Sequence, residues 1–217
     1  TGINGGVGWL ATDVGRQIFF NSGYAKITAR TSATVAVATI TTAFTNTDAT
    51  AAFQLGSFSD TTGHPSCVTF FEQRLVFAGT TDQPQTIFFS KSGDYENMDE
   101  NIGGTVADDD AMVYTIASNQ VNAIRFMTAT RTLIIGTAGG EFTVSGGGTD
   151  SAVTPTNILI KKQSNHGSAN VDALAVGNAT LFLQRAKRKI RELAYNFDVD
   201  GYIAPDMTIL AEHITEG

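Results

Sequence analysis

The stretch "GHPSCVTFFEQRLVFAGTTDQPQTIFFSKSGDYENM", residues 63–98, decides the fold of this chain. Apolar runs rich in Phe, Val and Ile alternate with polar turns, a pattern that is typical of antiparallel strands. We predict strands at residues 67–71, 74–79 and 86–90, with a polar turn between the second and the third. A polar exit, "SKSGDYENMDE", follows the last strand, although no strand geometry requires so many polar residues there.

Two further segments repeat this pattern of apolar strand, polar or Gly-rich turn and second strand. They are "RTLIIGTAGGEFTVSGGG", which begins at Arg131, and "ATLFLQRAKRKIRELAYN", which begins at Ala179. The equivalent leucines are Leu75, Leu133 and Leu181, and their spacing of about 50 residues is typical of β-propeller blades.

The repeats predict an all-β chain with an incomplete β-propeller of about three blade-like units, which we assign to residues 57–217. A propeller closes with roughly four to eight blades, so the remaining ones would come from missing chain or from another subunit. The alternative is a β-sandwich with irregular loops.

Residues 1–56 are rich in Thr and Ala and carry little charge. Here "RQIFF" and "YAKITA" flank Asn21–Gly23, which predicts a hairpin, and "TVAVATI" at 34–40 predicts a third strand. We therefore predict a small β-meander or barrel domain before the blades. Residues 56–66 are rich in Gly, Ser, Thr and Pro, which predicts a linker.

The composition narrows the range of functions. The chain has 217 residues, a net charge of −7 and a pI of about 4.8, whereas a protein that binds duplex DNA normally carries a basic patch. An acidic wall past which DNA moves without binding remains open, because like charge repels phosphate. No apolar run is long enough to predict a membrane span. The single cysteine, Cys67, excludes a disulfide framework or a Cys-based zinc site within one chain.

Five of the 14 basic residues are concentrated in one short segment. We predict that this segment is a hairpin that turns at residues 187–188, with an amphipathic helix as the alternative. Either an inter-subunit or phosphate contact, or a solvated hairpin tip, would account for the charges. The cluster consists of Arg185, Lys187, Arg188, Lys189 and Arg191.

Acidic residues gather in "ADDDA", which contains Asp108, Asp109 and Asp110. On a strand, only the first and third would share a face and could cooperate on a metal ion or a proton. In a loop, which we favour, all three would be solvated. Asp94 and Tyr95 lie in the polar exit, where we expect a contact with a partner.

The segment "NFDVDGYIAPDM" matches the first half of a calcium-binding loop. Asn196, Asp198 and Asp200 stand at ligand positions, but Met207 replaces the bidentate acid that closes such a loop. We favour an Asp-rich turn that joins two strands. Three histidines lack the spacing of a zinc site: His64, His166 and His213.

Residues 68–98, "VTFFEQRLVFAGTTDQPQTIFFSKSGDYENM", resemble a pattern common in tail proteins of bacteriophages. That pattern is a strand, "RL-F-AGT", "QP-TI--S-SGDY-N" and then an acidic patch. Later segments are similar to the same family in the same order, among them "RTLIIGTAGGEFTVSGG", "NILIKKQSNHGS" and "DGYIAPDMTILAEHI". The similarity covers most of the chain and points to the nozzle-type proteins of short tails, the tail tubular protein B and packaged-DNA stabilisation proteins. One departure is at 184–187, where the family often carries a second glycine.

The resemblance implies a structural virion protein that is built on a β-propeller and made in the host bacterial cytoplasm. Such proteins form a homo-oligomeric ring below the portal and adaptor and conduct or retain DNA without binding it specifically. No catalytic residue and no cofactor are implied. Asp94, Tyr95 and the basic cluster would then be interface contacts, and residues 108–110 would be structural or face the lumen.

The alternative function is a receptor- or carbohydrate-binding tail module, which could also cleave carbohydrate. A glycosidase needs two carboxylates roughly 5–10 Å apart. The candidates are Glu72, Asp94, Asp108 and Asp110, and their spacing favours no pair.

Overall fold

The computed structural model describes residues 2–102, 104–117, 122–148 and 151–210. These residues form antiparallel strands in four sheets of four strands each, so the all-β prediction is confirmed. The helices among them are short 3-10 turns: Ile3–Gly6, Ala11–Asp13 and Phe197–Val199.

The N-terminal sheet contains the predicted hairpin. Its two-residue turn, Asn21 and Ser22, has positive φ at both positions, which is the turn that matches the twist of paired strands. The fourth strand pairs with the first, so the strand order is β3-β2-β1-β4 and the pairing leaves an open sheet rather than a barrel. The strands are β1 (Gln17–Phe20), β2 (Gly23–Arg30), β3 (Ala36–Thr42) and β4 (Phe53–Leu55).

Three more sheets follow, and each is a meander in which strands that are consecutive in sequence pair side by side. Sheet I contains β5 (Cys67–Phe71), β6 (Arg74–Ala78), β7 (Thr86–Phe89) and β8 (Met112–Thr115). Sheet II contains β9 (Ile124–Ala129), β10 (Leu133–Thr137), β11 (Gly140–Ser145) and β12 (Leu159–Ser164). Sheet III contains β13 (Leu174–Val176), β14 (Ala179–Leu183), β15 (Ile190–Asn196) and β16 (Gly201–Ile203).

The repeat predicted from the sequence is present in these sheets. Leu75, Leu133 and Leu181 all lie in the second strand of their sheet, and the three predicted strands of residues 63–98 agree with β5, β6 and β7 to within one residue. The repeat unit is therefore a four-stranded meander, the unit from which propeller blades are built.

Sheets I, II and III pack face to face in a row. Because successive side chains of a strand point to opposite faces, β10 contributes side chains to the interfaces with both sheet I and sheet III. Leu133 and Ile135 pack in the core shared with sheet I, while Ile134 packs against Phe182 and Leu193 of sheet III. All of β10 is buried, which explains why residues 133–135 are apolar in succession rather than alternating with polar residues.

A β-bulge lets β9 contribute to both of these cores. The pairing of β9 with β10 shifts between Gly136 and Thr137, so that Phe126 lies opposite Gly136 and Ile124 lies opposite Thr137. Ile124 consequently points into the core shared with sheet I, and Phe126 into the core shared with sheet III. Without the bulge, two residues separated by one position would face the same side.

The two ends of the row differ, because the N-terminal sheet and Phe58 cover part of the outer face of sheet I. Among the described residues, no further sheet packs on the outer side of sheet III, and the four sheets do not close into a ring. The all-β part of the prediction is therefore confirmed, whereas four sheets that do not close do not show a propeller.

Candidate functional site

Arg74 anchors the acidic loop of sheet I by its main chain. The guanidinium is buried and donates to the carbonyl oxygens of Ser90 at 2.8 Å, Asp110 at 2.7 Å and Asp108 at 2.6 Å. Burial lowers the pKa of Arg74, and the nearby carboxylates, Asp109 first, oppose that shift. The loop is thus drawn onto sheet I by a fork of donors, which is the geometry that arginine supplies.

The three loop acids have different environments. The Asp110 side chain is buried, accepts from Lys91 Nζ at 2.9 Å and accepts from the Ala107 N–H at 2.7 Å. Burial alone would raise the pKa of Asp110, but the Ala107 N–H and the Lys91 ammonium together hold it below its ordinary value. Asp108 is exposed, and the Asp109 side chain is 62% exposed. The prediction that all three are solvated is therefore wrong for Asp110.

These contacts also bear on the glycosidase hypothesis. Asp110 is paired with Lys91, and Glu72 accepts from the Val153 N–H at 2.6 Å. Two of the four candidate carboxylates therefore make structural contacts, and of the four only Asp110 is buried.

The polar exit joins sheet I to the N-terminal sheet. Gln17 donates to the carbonyl of Glu96 at 2.9 Å, and the Gln54 amide donates to the Glu100 carboxylate. Within the exit, Tyr95 packs edge to face on Phe70 with ring centroids 5.2 Å apart, and Asp94 is exposed. Polar residues of the exit, which the sequence pattern did not explain, thus contact another part of the same chain.

A cavity of about 390 Å³ lies between the N-terminal sheet and sheet I. Leu75, Phe77 and Phe88 line it from sheet I, and Lys26 and Tyr95 are among its polar lining. Phe58 of the linker packs edge to face on Phe77 and Phe88, with centroids 5.4 and 5.0 Å away. The linker therefore packs at the junction of the two sheets rather than holding them apart.

The basic cluster lies on the hairpin between β14 and β15, which confirms the predicted turn against the helical alternative. Lys187 has a φ of 60° in the turn, and Arg185, Lys187 and Arg188 are exposed. Arg185 donates from its side chain to the Ala138 carbonyl at 3.2 Å and from its main chain to the Gly167 carbonyl at 2.9 Å. The hairpin tip is therefore attached to sheet II.

The other two residues of the cluster stabilise sheet III itself. Lys189 pairs with Asp206 at 2.7 Å, and this hydrogen bond holds the pKa of Asp206 below its usual range. Arg191 donates to the Gln184 side chain at 2.9 Å and to the Ala204 carbonyl at 2.7 Å. The sequence thus predicted one basic surface, whereas the structure divides it between an exposed tip and internal contacts.

The Asp-rich segment after β15 is a turn, as favoured from the sequence. Asn196 accepts from the main-chain N–H of Asp198 at 2.8 Å, and Asp200 accepts from the Tyr195 hydroxyl. Across the described ranges, no group of three or more His, Cys, Asp or Glu residues is arranged to hold a metal ion. His213 lies outside the described residues.

Sequence reasoning missed a buried carboxylate in sheet II. Glu141 is fully buried and accepts hydrogen bonds from the hydroxyls of Ser164 and Ser168, the latter at 2.8 Å. Ser168 lies on the connection to sheet III, so Glu141 attaches that connection to the N-terminal end of β11. The signal in the sequence is weak, because the acid alternates with Phe142 and Val144 in "GEFTVS" as a solvent-facing residue would.

Each end of the row presents an apolar face. The outer face of sheet III is the side away from Phe182 and Leu193, and the outer face of sheet I is the side away from Val76 and Phe89. By strand alternation and cross-strand pairing, the outer face of sheet III contains Leu174, Val176, Ala179, Leu181, Leu183, Ile190, Glu192, Ala194 and Ile203. By the same rule, the outer face of sheet I contains Val68, Phe70, Leu75, Phe77, Phe88 and Val113.

Several of these side chains are exposed to solvent. Leu174 and Val176 are 64% and 50% exposed, and Val68 and Phe70 are 60% and 61% exposed. Contiguous exposed apolar patches on soluble proteins mark interaction surfaces. The end faces are therefore the strongest candidate functional surfaces of the described structure.

Comparison with models of known protein families finds no match, and comparison with curated proteins finds no significant relative. Within the described residues, no helix has the length and apolar character needed to cross a membrane.

Proposed function

We propose that this protein is a structural subunit of a bacteriophage tail, of the nozzle type, that assembles into a ring around a channel for DNA. The observation that carries the proposal is the row of three blade-like meanders, with exposed apolar side chains on the outer face of sheet III and on the β5 side of sheet I. A row of this kind resembles part of a propeller, and contact with a further sheet would remove its exposed apolar side chains from water.

The mechanism is mechanical. Sheets I, II and III share buried cores and form a rigid section of wall, and copies repeat that section around the ring. The net charge of −7 disfavours tight binding of phosphate, so DNA can be conducted or retained without specific contacts. The exposed acids Asp94, Asp108 and Asp109 suit a surface that faces the channel.

Contacts with other tail components would use polar surfaces. The exposed tip of the basic hairpin, with Arg185, Lys187 and Arg188, is suited to an acidic partner surface. We propose that the portal and adaptor proteins of the virion are the partners, and that the protein resides in the phage tail. No catalytic residue and no cofactor are part of this proposal.

Electron microscopy of the purified protein, alone and mixed with its adaptor, tests the function directly. We expect rings of uniform diameter with a central channel in at least one of the two samples. Strictly monomeric particles in both samples would contradict the proposal.

A further inference from the structure

The row of sheets has a direction that both of its internal interfaces share. In each interface, the face of one sheet packs on the opposite face of the sheet that follows it in the chain. Val76 and Phe89 of sheet I meet Leu133 and Ile135 of sheet II. On the other side of sheet II, Ile134 meets sheet III. One more step in this direction starts from the outer face of sheet III and ends on a surface like the outer face of sheet I.

The outer face of sheet III has the composition of a sheet-packing surface. Leu174 pairs with Leu181, and Leu183 pairs with Ile190, so aliphatic side chains adjoin across the strands. A single charged residue, Glu192, shares this face and stands opposite Leu181. Apart from that carboxylate, the paired side chains of β13, β14 and β15 on this face are aliphatic.

The outer face of sheet I is only partly covered. Phe58 packs on Phe77 and Phe88 within the same chain, which leaves the β5 side open. Val68 and Phe70 are exposed there, with Tyr95 packed against Phe70. Lys26 is exposed and lines the same cavity as Tyr95, so this side also offers a cation to an incoming carboxylate such as Glu192.

We propose that the outer face of sheet III binds the β5 side of sheet I in a second copy of this chain. The contact is head to tail, because it joins two different surfaces, and repeated contacts of that kind generate a ring or an open filament. The inference rests on the proposed function in one respect: a nozzle requires the contact to close into a ring.

The size of the contact predicts its strength. The four strands of sheet III, spaced about 4.8 Å apart and each roughly 15 Å long, present a face of roughly 300 Å², which is an upper bound because sheet I offers only its β5 side. A contact of this size lies below that of typical stable complexes, so a single one forms only at high protein concentration. Closure of a ring adds a second contact to every copy and stabilises the assembly through effective concentration.

Site-specific cross-linking tests the pairing. Cys67 is the single cysteine of the chain, so Cys67→Ser gives a background without thiols. In this background, Phe70→Cys and Leu174→Cys place one thiol on each proposed surface, at exposed positions that do not support the core. The two variants carry tags of different mass and are mixed under mild oxidation. Val37→Cys, 51% exposed on β3 of the N-terminal sheet, replaces Leu174→Cys in the control.

We expect the mixture of Phe70→Cys and Leu174→Cys to give a disulfide-linked heterodimer, at least tenfold more abundant than the product of the Val37→Cys control. Each variant alone is expected to remain largely uncross-linked, and the chain with both cysteines is expected to give a ladder of covalent oligomers. Retained near-ultraviolet circular dichroism confirms that the variants are folded.

Two results would overturn the inference. A Leu174→Cys homodimer that forms as readily as the mixed product would show that two sheet III faces meet each other instead. Rings visible by electron microscopy without the mixed product would show that copies meet elsewhere, and the proposed function would then stand without this interface.

Discussion

The guanidinium of Arg74 and the main-chain carbonyl of Asp110 lie 2.7 Å apart in the interior of the protein, although 36 positions separate the two residues in the chain. The same side chain holds the carbonyl of Ser90 at the end of β7. One buried arginine thus fixes the loop that returns the chain from β7 to β8. The position of the loop between β7 and β8 therefore depends on this contact.

Arg74→Lys is expected to lower the free energy of unfolding by about 3 kcal/mol, because an ammonium cannot reproduce the fork and leaves buried carbonyls unpaired. Chemical denaturation measures the loss. Arg185→Lys is the matched control: Arg185 is exposed and its side chain contacts one carbonyl, so we expect a change of about 0.5 kcal/mol or less. Equal effects of the two substitutions would show that Arg74 does not anchor the loop.

The Lys91–Asp110 pair predicts how stability depends on pH. The pKa of Asp110 is lowered in the folded state, so its contribution is fully present above the unfolded value of about 4 and is lost as the pH falls through the folded value. At pH 7, Asp110→Asn is expected to be less stable than the wild type by about 2 kcal/mol. Below about pH 4, that difference narrows.

Denaturation curves at several pH values measure this difference. Asp108→Asn provides the control, because Asp108 is exposed and only its main-chain carbonyl binds Arg74. A gap for Asp110→Asn that stays constant from pH 7 to acid would contradict the assigned role of the ion pair.

The packing of the Phe126 ring on β10 requires a glycine at position 136. A Cβ atom at position 136 would lie 2.0 Å from the Phe126 ring, so Gly136→Ala must displace that ring from the core shared with sheet III. We expect a loss of about 3 kcal/mol, measured by thermal or chemical denaturation. At Gly201 the nearest atom to an added Cβ lies 3.7 Å away, so Gly201→Ala should be nearly neutral.

A double-mutant cycle isolates the contact. Combining Gly136→Ala with Phe126→Leu should cost less than the sum of the two single effects, because the smaller side chain makes room for the new methyl group. Strict additivity would show that the clash with Phe126 is not the cause of the loss.

Glu141 gives a prediction about the connection between sheets II and III. Glu141→Ala leaves the Ser164 and Ser168 hydroxyls without their buried acceptor and is expected to cost about 3 kcal/mol. Glu141→Gln keeps one acceptor oxygen and should cost less. Hydrogen exchange of the amides at 164–169 should accelerate more in the Ala variant than in the Gln variant, and equal protection in both would contradict the assigned role.

The repeated strands were predictable because their signals are local. Residues 67–90 place apolar strands beside short turns, and the Leu75, Leu133 and Leu181 positions recur at a blade-like spacing. The last strand of each sheet was not predicted. β16 has only three residues and β12 carries two adjacent lysines, so each becomes a strand through pairing with its neighbour rather than through its own pattern.

The contacts of the candidate site were less predictable, because they join residues that are distant in sequence. The pattern before β6 shows an arginine but not that the loop at 108–110 returns to cover it. In the same way, the basic cluster looks uniform in sequence, yet Lys189 and Arg191 make contacts within sheet III while Lys187 is exposed. The concentration of charge therefore predicted the position of a basic segment, but not which of its side chains are exposed and which make contacts within the protein.

We propose that copies of this protein assemble through the apolar end faces of the sheet row. Sedimentation velocity over about a hundredfold range of protein concentration, with wild type and Leu174→Asp measured side by side, tests it most directly. We expect the sedimentation coefficient of the wild type to rise with concentration toward a defined oligomer, whereas Leu174→Asp remains a folded monomer. A wild type that stays monomeric over the whole range, or a variant that assembles equally well, would contradict it.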